Sequence, residues 1–302
     1  MTRLAVLACF VVALLPRSAA AQPPAHLRLT ETFAHPLPDT LQIGSIAVGG
    51  PDELLAWAPN QDVVLRLVRG EQRALGVGHL QLPVGAAFVD GGYEVVDAQR
   101  RGVVSFAADG SERGFRPIAS TGALRNAVRT PAGWFVGVNS SAEGYVLLRL
   151  MGDSARVLAR LSADTAANAP LREAQLAPDG DGVLMTDVRA PFTTLRVATD
   201  GRVLGTLQPG LPAAGAAGAK WIPLPALALG DGFVQVFADL ASDLRDLVVF
   251  DAEGRVLRRT RVEVPLAFVA SVPSLRLLVG SRAIGARELV GYRWEWEREG
   301  SP

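Results

Sequence analysis

Short runs of strand-forming residues, separated by turns rich in glycine and aspartate, follow one another along almost the whole chain. In residues 102–117 (GVVSFAADGSERGFRP) the apolar side chains of Val104 and Phe106 favour a β-strand. Asp109 and Gly110 then predict a tight reversal, because glycine adopts positive φ at no steric cost. We interpret this segment as one β-hairpin.

The same hairpin pattern recurs along the chain. Its further copies span residues 63–78, 145–161, 194–210 and 247–262. Corresponding strand positions are spaced by roughly 40 to 53 residues, which is typical of a four-stranded propeller blade. Two more strand-like runs, joined by a glycine- or proline-marked turn, precede each hairpin. Each unit is therefore predicted to be a meander of four strands, which we call a, b, c and d in chain order.

The two ends of the chain are predicted to meet in one sheet. A sixth unit begins at Leu266 but contains only three strand-like runs, whereas residues 26–33 (HLRLTETF) form a strand-like run that precedes the first unit. Completing the last blade with the first strand leaves no open sheet edge at the seam. We therefore predict an all-β fold, a six-bladed β-propeller of four-stranded antiparallel blades that occupies residues 22–302 as a single domain.

Residues 1–21 are predicted to be a secretory signal peptide. Arg3 precedes an apolar run over residues 4–15, and Ala19-Ala20-Ala21 offers a cleavage site. The protein is therefore expected to be secreted or periplasmic. Cys9, the one cysteine of the sequence, lies within this segment, so a mature chain has no thiol for catalysis or for a disulfide.

Composition excludes several classes of function. Thirty basic and thirty acidic residues give no net charge, whereas nucleic-acid binding requires a basic surface, so no nucleic-acid partner is predicted. No second apolar run is long enough for a transmembrane helix. The sequence also lacks a His-x-x-x-His pair, a Gly-x-Ser-x-Gly elbow and a phosphate-binding glycine loop. No catalytic residue is predicted.

Residues 97–110 (DAQRRGVVSFAADG) resemble the repeat of NHL-type propellers, with matches at Asp97, Val103, Phe106 and Gly110. The resemblance, which extends to TolB-like propellers, implies a propeller architecture for the mature chain. Propellers of this kind serve many unrelated functions, so the resemblance implies no particular ligand.

The meander fixes which connections share a face of the ring. The a–b and c–d turns lie on one face, whereas the longer and more varied b–c and d–a connections lie on the other. Function tends to reside on variable loops held by a rigid scaffold. The face formed by the b–c and d–a connections is therefore predicted to be the working face.

Polar residues occupy corresponding places at the ends of the b strands, and arginines follow in two of the b–c loops. The predicted ligand-binding residues are Asn60, Asp97, Arg100, Arg101, Asn139, Asp187, Arg189, Asp239 and Ser281. A ring of oxygen ligands suits calcium, for which Asp97 and Asp187 are the candidate ligands, or a polar small molecule. The structural alternative is that these residues bind loop amides and end the strands, as Asp and Asn commonly do.

Two functions from different classes remain open. The first is a non-catalytic binding or scaffold propeller for an unidentified protein partner or small-molecule ligand, with no cofactor other than the calcium considered above. The alternative is a metal-dependent hydrolase or lyase of the type found among lactone-hydrolysing six-bladed propellers, which hold a metal with Glu, Asn and Asp. No matching Glu lies near the start of the first predicted blade.

Overall fold

The computed structural model describes residues 25–37, 45–57, 62–161, 173–211, 221–239, 245–262, 267–281 and 288–298. The predicted signal peptide lies outside these ranges. Within them, the strands in chain order are β1 (Ala25–Pro36), β2 (Ser45–Gly50), β3 (Glu53–Trp57), β4 (Val64–Val68), β5 (Glu71–Leu75), β6 (Pro83–Val89), β7 (Gly92–Asp97), β8 (Gly102–Ala107), β9 (Glu112–Pro117), β10 (Ala123–Thr130), β11 (Gly133–Ser140), β12 (Gly144–Met151), β13 (Ser154–Leu161), β14 (Ala174–Asp179), β15 (Gly182–Asp187), β16 (Thr194–Val197), β17 (Val203–Leu207), β18 (Trp221–Pro223), β19 (Leu227–Ala228), β20 (Gly232–Asp239), β21 (Arg245–Asp251), β22 (Val256–Val262), β23 (Ala267–Val272), β24 (Leu277–Ser281) and β25 (Glu288–Arg298). A short 3-10 turn at Pro273–Leu275 links β23 to β24.

These strands form six antiparallel sheets, each of which is one blade. Four blades consist of consecutive strands: β2 to β5, β6 to β9, β10 to β13 and β14 to β17. The fifth contains β18 to β22, and the sixth joins β23, β24 and β25 to β1. The first strand of each blade, which we call its inner strand, contacts the inner strands of the neighbouring blades around a central channel. The predicted six-bladed propeller is confirmed.

The ring is closed by the two ends of the described chain. Strand β1 pairs antiparallel with β25, from Ala25 opposite Arg298 to Pro36 opposite Glu288. The Thr32 hydroxyl also donates a hydrogen bond of 3.0 Å to the carbonyl of Gly291. Strand β1 thereby becomes the fourth strand of the last blade, as predicted, although it extends beyond residues 26–33 at both ends.

The c–d turns of the second, fourth and fifth blades share one hydrogen-bonding pattern. In the second blade the amide of Gly110 donates to the carbonyl of Ala107 at 2.9 Å, and the amide of Ala107 donates to that of Ser111 at 2.9 Å. Gly110 has a φ of 89°, which explains why glycine is needed there. Gly201 and Gly254 make the equivalent bonds in the fourth and fifth blades. The hairpin identified in the sequence is therefore the repeating unit of the ring.

The hydrophobic core is divided among the interfaces between neighbouring blades. Successive side chains of a strand point to opposite faces of its sheet. In β11, Trp134 packs with Val103 of the second blade, whereas Phe135 packs with Met185 of the fourth blade. Because both faces of each central strand are covered, these strands read as continuous apolar runs and show little alternation.

Arginines of the outer strands tie adjacent blades together. Arg73 on β5 donates to the carbonyl of Asp109 in the c–d turn of the second blade. In the same way, Arg116 on β9 donates to Gly152 in the third blade, and Arg156 on β13 donates to Asp200 in the fourth at 3.2 Å. Each bond joins one blade to the next through a backbone carbonyl, so it depends on the turn geometry and not on the turn residue's side chain.

In the fifth blade the strand-like run at residues 226–229 predicts one continuous inner strand. The structure instead has two short segments, β18 and β19, that both pair with β20. Pro223 and Pro225 lack backbone N–H groups, so a continuous ladder cannot form between them. The amide of Ala226 donates to the Thr186 hydroxyl of the preceding blade at 3.2 Å. This bond stabilises the break between β18 and β19.

Closure predicts a measurable contribution from β1 to stability. A chain that begins after Pro36 should melt at a lower temperature and aggregate, because the long edge of β25 is then exposed. A synthetic peptide of residues 25–36, added in trans, should restore the melting temperature, whereas a scrambled peptide should not. Differential scanning calorimetry with size-exclusion chromatography measures both effects. A truncated chain that stays monomeric and melts with the intact one would contradict this role of β1.

Candidate functional site

The ends of the b strands lie at one level of the ring, as the sequence suggested. In five blades a polar residue at the end of the b strand, or one position before it, pairs with the first residue of the inner strand. These residues are Asp97, Asn139, Asp187, Asp239 and Ser281. In the first blade Trp57 holds this register position, and the predicted Asn60 lies outside the described residues. Whether the five residues bind a ligand stays a prediction.

Asp97 is fully buried and both of its carboxylate oxygens are occupied. One oxygen accepts the amides of Gln81 and Leu82, at 2.6 and 3.2 Å, in the connection that enters the second blade. The other accepts the amides of Gln99 and Arg100, at 2.9 and 2.8 Å, in the b–c turn. Asp97 therefore ties the connection between two blades to the turn beside it, which supports the structural alternative for this residue.

Asp97, one of the two candidate calcium ligands, is already saturated by hydrogen bonds. A carboxylate offers about four lone-pair sites, and in Asp97 four amide hydrogens use them. Asp187, the second candidate ligand, accepts the amide of Arg189 at 3.1 Å. Across the described part of the chain, no three His, Cys, Asp or Glu side chains lie close enough together to hold a metal ion. Whether Asp187 contributes to a calcium site stays a prediction.

The predicted arginines of the second blade contact the protein itself. The guanidinium of Arg100 donates to both carboxylate oxygens of Glu112, at 3.0 and 3.1 Å, and to the carbonyl of His79 at 2.8 Å. The hydrogen bond to Arg100 holds the pKa of Glu112 below its usual value. Arg101 donates to the carbonyl of Ser120. These contacts anchor the blade surface and leave little of Arg100 for a ligand.

Asn139 differs from the other b-strand ends. It is buried, and neither its amide nitrogen nor its amide oxygen has a hydrogen-bond partner among the residues that the structure describes. Tyr145 lies opposite Asn139 on β12. Its hydroxyl hydrogen is donated to Asn126 at 2.6 Å and is therefore not donated to Asn139. A buried amide without partners is costly unless water or another polar group reaches it.

The fifth blade contains a buried charge cluster at the start of β21. The buried carboxylate of Asp246 accepts hydrogen bonds from Arg259 and from Arg261, the latter at 3.0 Å. Its pairing raises the pKa of Arg261 above the usual value. This cluster links β21 to the outer strand β22 and accounts for the charges without a ligand.

A cavity of about 310 Å³ lies in the central channel and contains none of the predicted site residues. It is lined by the inner strands of five blades together with Trp57. In the second, third and sixth blades the lining residues come mainly from the second half of the strand, such as residues 127–130 in β10. The cavity therefore extends towards the a–b turns in these blades, whereas in the first blade Ser45 and Trp57 bring it to the level of the b-strand ends.

The sequence contains a signal for this cavity, which lies outside the predicted site residues. The inner strands repeatedly place alanine where other strands carry large side chains. The lining alanines are Ala47, Ala86, Ala87, Ala127, Ala177 and Ala270. Small residues at matching positions in successive repeats leave space on the ring axis, which a search restricted to polar and catalytic residues does not detect.

The buried carboxylate of Asp97 gives a direct prediction. Asp97→Ala leaves four buried amides without an acceptor and should lower the free energy of unfolding by about 3 kcal/mol or more. Asp97→Asn keeps one acceptor oxygen and should lie between the two. Exposed Asp90, in the a–b turn of the same blade, provides the control, since Asp90→Ala should change stability little. Urea denaturation, with calcium and with EDTA, measures these differences, and a loss seen only in the presence of calcium would contradict the structural role.

Comparison with solved structures supports the fold. The chain is similar to a structural genomics protein of unknown function from Bacteroides thetaiotaomicron, with 10% identity, a TM-score of 0.55 and coverage of 89% of this chain and 72% of that chain. It is also similar to a member of the DUF4221 family from Bacteroides vulgatus, with 8% identity, a TM-score of 0.54 and coverage of 90% and 99%. Virginiamycin B lyase from Staphylococcus aureus matches with 10% identity, a TM-score of 0.46 and coverage of 89% and 99%.

At these identities the likeness shows the fold alone, and the lower TM-score of the lyase carries no inference about activity. No protein-family model and no curated protein matches the sequence. Within the described residues, none of the helical structure is long and apolar enough to cross a membrane.

Proposed function

We propose that this protein is a non-catalytic binding propeller, acting outside the cytoplasm, whose central channel holds a small amphipathic molecule. One observation carries the proposal: the cavity of about 310 Å³ on the axis of the ring. Pockets for small molecules typically have volumes of about 300 to 1,000 Å³. The location outside the cytoplasm rests on the signal-like segment at residues 1–21.

The cavity wall combines apolar surface with hydrogen-bonding groups. Val48, Phe88 and Val272 contribute apolar side chains, and Ser45 and Ser271 contribute hydroxyls. The inner strands also lie at the edges of their sheets, so one side of each backbone has no neighbouring strand. A ligand with an apolar body and a polar head would satisfy both kinds of surface, whereas a purely apolar ligand would leave backbone groups without partners.

The alternative of a metal-dependent hydrolase or lyase has less support. It requires carboxylates that are free to hold a metal, and the oxygens of Asp97 are already occupied by backbone amides. A binding function requires only that Asp97 hold the connections between blades in place.

The channel proposal predicts that filling the cavity abolishes binding. Octanamide, an alkyl chain with a neutral hydrogen-bonding head, should raise the melting temperature of the protein in a saturable manner. Ala47→Phe and Ala270→Phe place an aromatic ring in the channel from different blades and should each remove this effect. Isothermal titration calorimetry and thermal-shift measurements provide the readout.

Ala142→Phe is the matched control, because Ala142 is exposed in the b–c turn of the third blade and does not line the cavity. This variant should bind octanamide like the unmodified protein. Melting curves recorded without ligand verify that all three variants are folded. If both channel variants are folded and still bind octanamide with unchanged affinity, the ligand does not occupy the central channel.

A further inference from the structure

Among the described residues that line the central cavity, Arg129 alone has an ionisable side chain. It lies near the end of β10, opposite Trp134 in the register, and its side chain is 35% exposed. The remaining lining residues are apolar or carry a hydroxyl. The wall of the cavity therefore has one cationic side chain and is otherwise uncharged. Such a wall favours a ligand with a single negative charge.

The internal partner of Arg129 holds it only loosely. The Nε atom of Arg129 lies 3.4 Å from Oε2 of Glu94, and no hydrogen bond joins the two groups. That same Glu94 oxygen accepts a hydrogen bond of 2.7 Å from the indole N–H of Trp134. Glu94 is thus oriented by the tryptophan, and it meets Arg129 only as a nearby charge.

Two arginines on the c strands of other blades, Arg66 on β4 and Arg196 on β16, are bound more firmly to their acidic partners. Arg66 donates to Glu53 through Nε at 2.8 Å and also through Nη2. Arg196 donates to Asp179 at 3.0 Å and lies 4.6 Å above the ring of Phe233. Arg129 makes no such hydrogen bond within the described residues, so its guanidinium keeps its donors for another acceptor.

We propose that the central cavity recognises an amphipathic monocarboxylate, whose carboxylate binds Arg129 and whose apolar part packs against Val48, Phe88 and Val272. This inference rests on the proposed binding function and adds the chemical class of the ligand. A planar guanidinium presents paired N–H donors that match the two oxygens of a carboxylate. The apolar lining covers the remainder of such a molecule.

The charge of the cavity disfavours other head groups. A dianionic phosphate or dicarboxylate would bring a second negative charge, which the lining does not compensate and which Glu94 repels. A primary amine would place a second cation beside Arg129. A neutral amide or alcohol fits the shape of the cavity but gains only ordinary hydrogen bonds, which are weaker than charge-assisted ones.

Octanoate and octanamide, which differ in head-group charge, separate the two levels of the proposal. By isothermal titration calorimetry at neutral pH, octanoate should bind about tenfold or more tightly than octanamide. Arg129→Gln should remove this preference by weakening octanoate binding about 10- to 100-fold while leaving octanamide binding nearly unchanged. Retained octanamide binding also shows that this variant is folded with an intact cavity.

Arg125→Gln is the matched control, since Arg125 lies on the same strand, is 3.8 Å from Glu173 and does not line the cavity. This variant should keep the tenfold preference. Equal affinities for the two probes in the unmodified protein would overturn the carboxylate proposal and leave the channel function standing. Tighter binding of octyl phosphate than of octanoate would overturn it as well. Failure of both probes to bind would overturn the channel function itself.

Discussion

Closure of the ring by the pairing of β1 with β25 is the constraint on which the rest of the structure depends. Each blade buries its apolar faces only against its two neighbours, so an open ring would leave two blade faces in water. The pairing joins segments about as far apart in the sequence as the chain allows, with Thr32 bonded to Gly291 across a separation of 259 residues. Pairings of such long range are intrinsically slow to form, because the entropy cost of closing a long loop must be met before the contacts stabilise the fold.

The closed ring also determines what lies on its axis. Inner strands of the first, second, third, fourth and sixth blades bring their alanines to one cavity only when all of them are held in position. The arginine bonds between blades, such as Arg116 to Gly152 and Arg156 to Asp200, restrict sliding of one blade against the next at the outer rim. Support at the rim therefore preserves the shape of a cavity at the centre, where few side chains are available to stabilise it.

The repeating hairpin could be predicted from the sequence because its determinants are local. Gly110 and Gly201 adopt positive φ within turns of a few residues, and such turns can be recognised from their residue types. The closing strand could be predicted by counting strands and requiring that no edge remain open. The division of the fifth inner strand into two segments could not be predicted locally. Pro223 and Pro225 are compatible with a strand that ends there or with one that is interrupted, and the hydrogen bond to Thr186 of another blade favours the interruption.

The candidate site was harder to predict for a physical reason. Asp97 has the sequence signature of a ligand, namely an acidic residue at a strand end, but the amides that occupy it come from two connections that meet only in the folded blade. Arg129, in contrast, has no such signature, since it lies within an ordinary strand sequence (ALRNAVRT). Its environment consists of residues from five blades, so neither the cavity nor the charge within it can be deduced from one repeat.

The polar strand ends and the channel can be understood as two consequences of a single architecture. In the second blade, the carboxylate at the end of the b strand holds the connections that set blade spacing, and this task requires that it be buried and saturated. The inner strands are held in place by pairing with the b strand. Their free edges, which face the channel, do not hold the connections between blades. A loosely paired cation such as Arg129 is consistent with selection for binding and adds little to the stability of the fold.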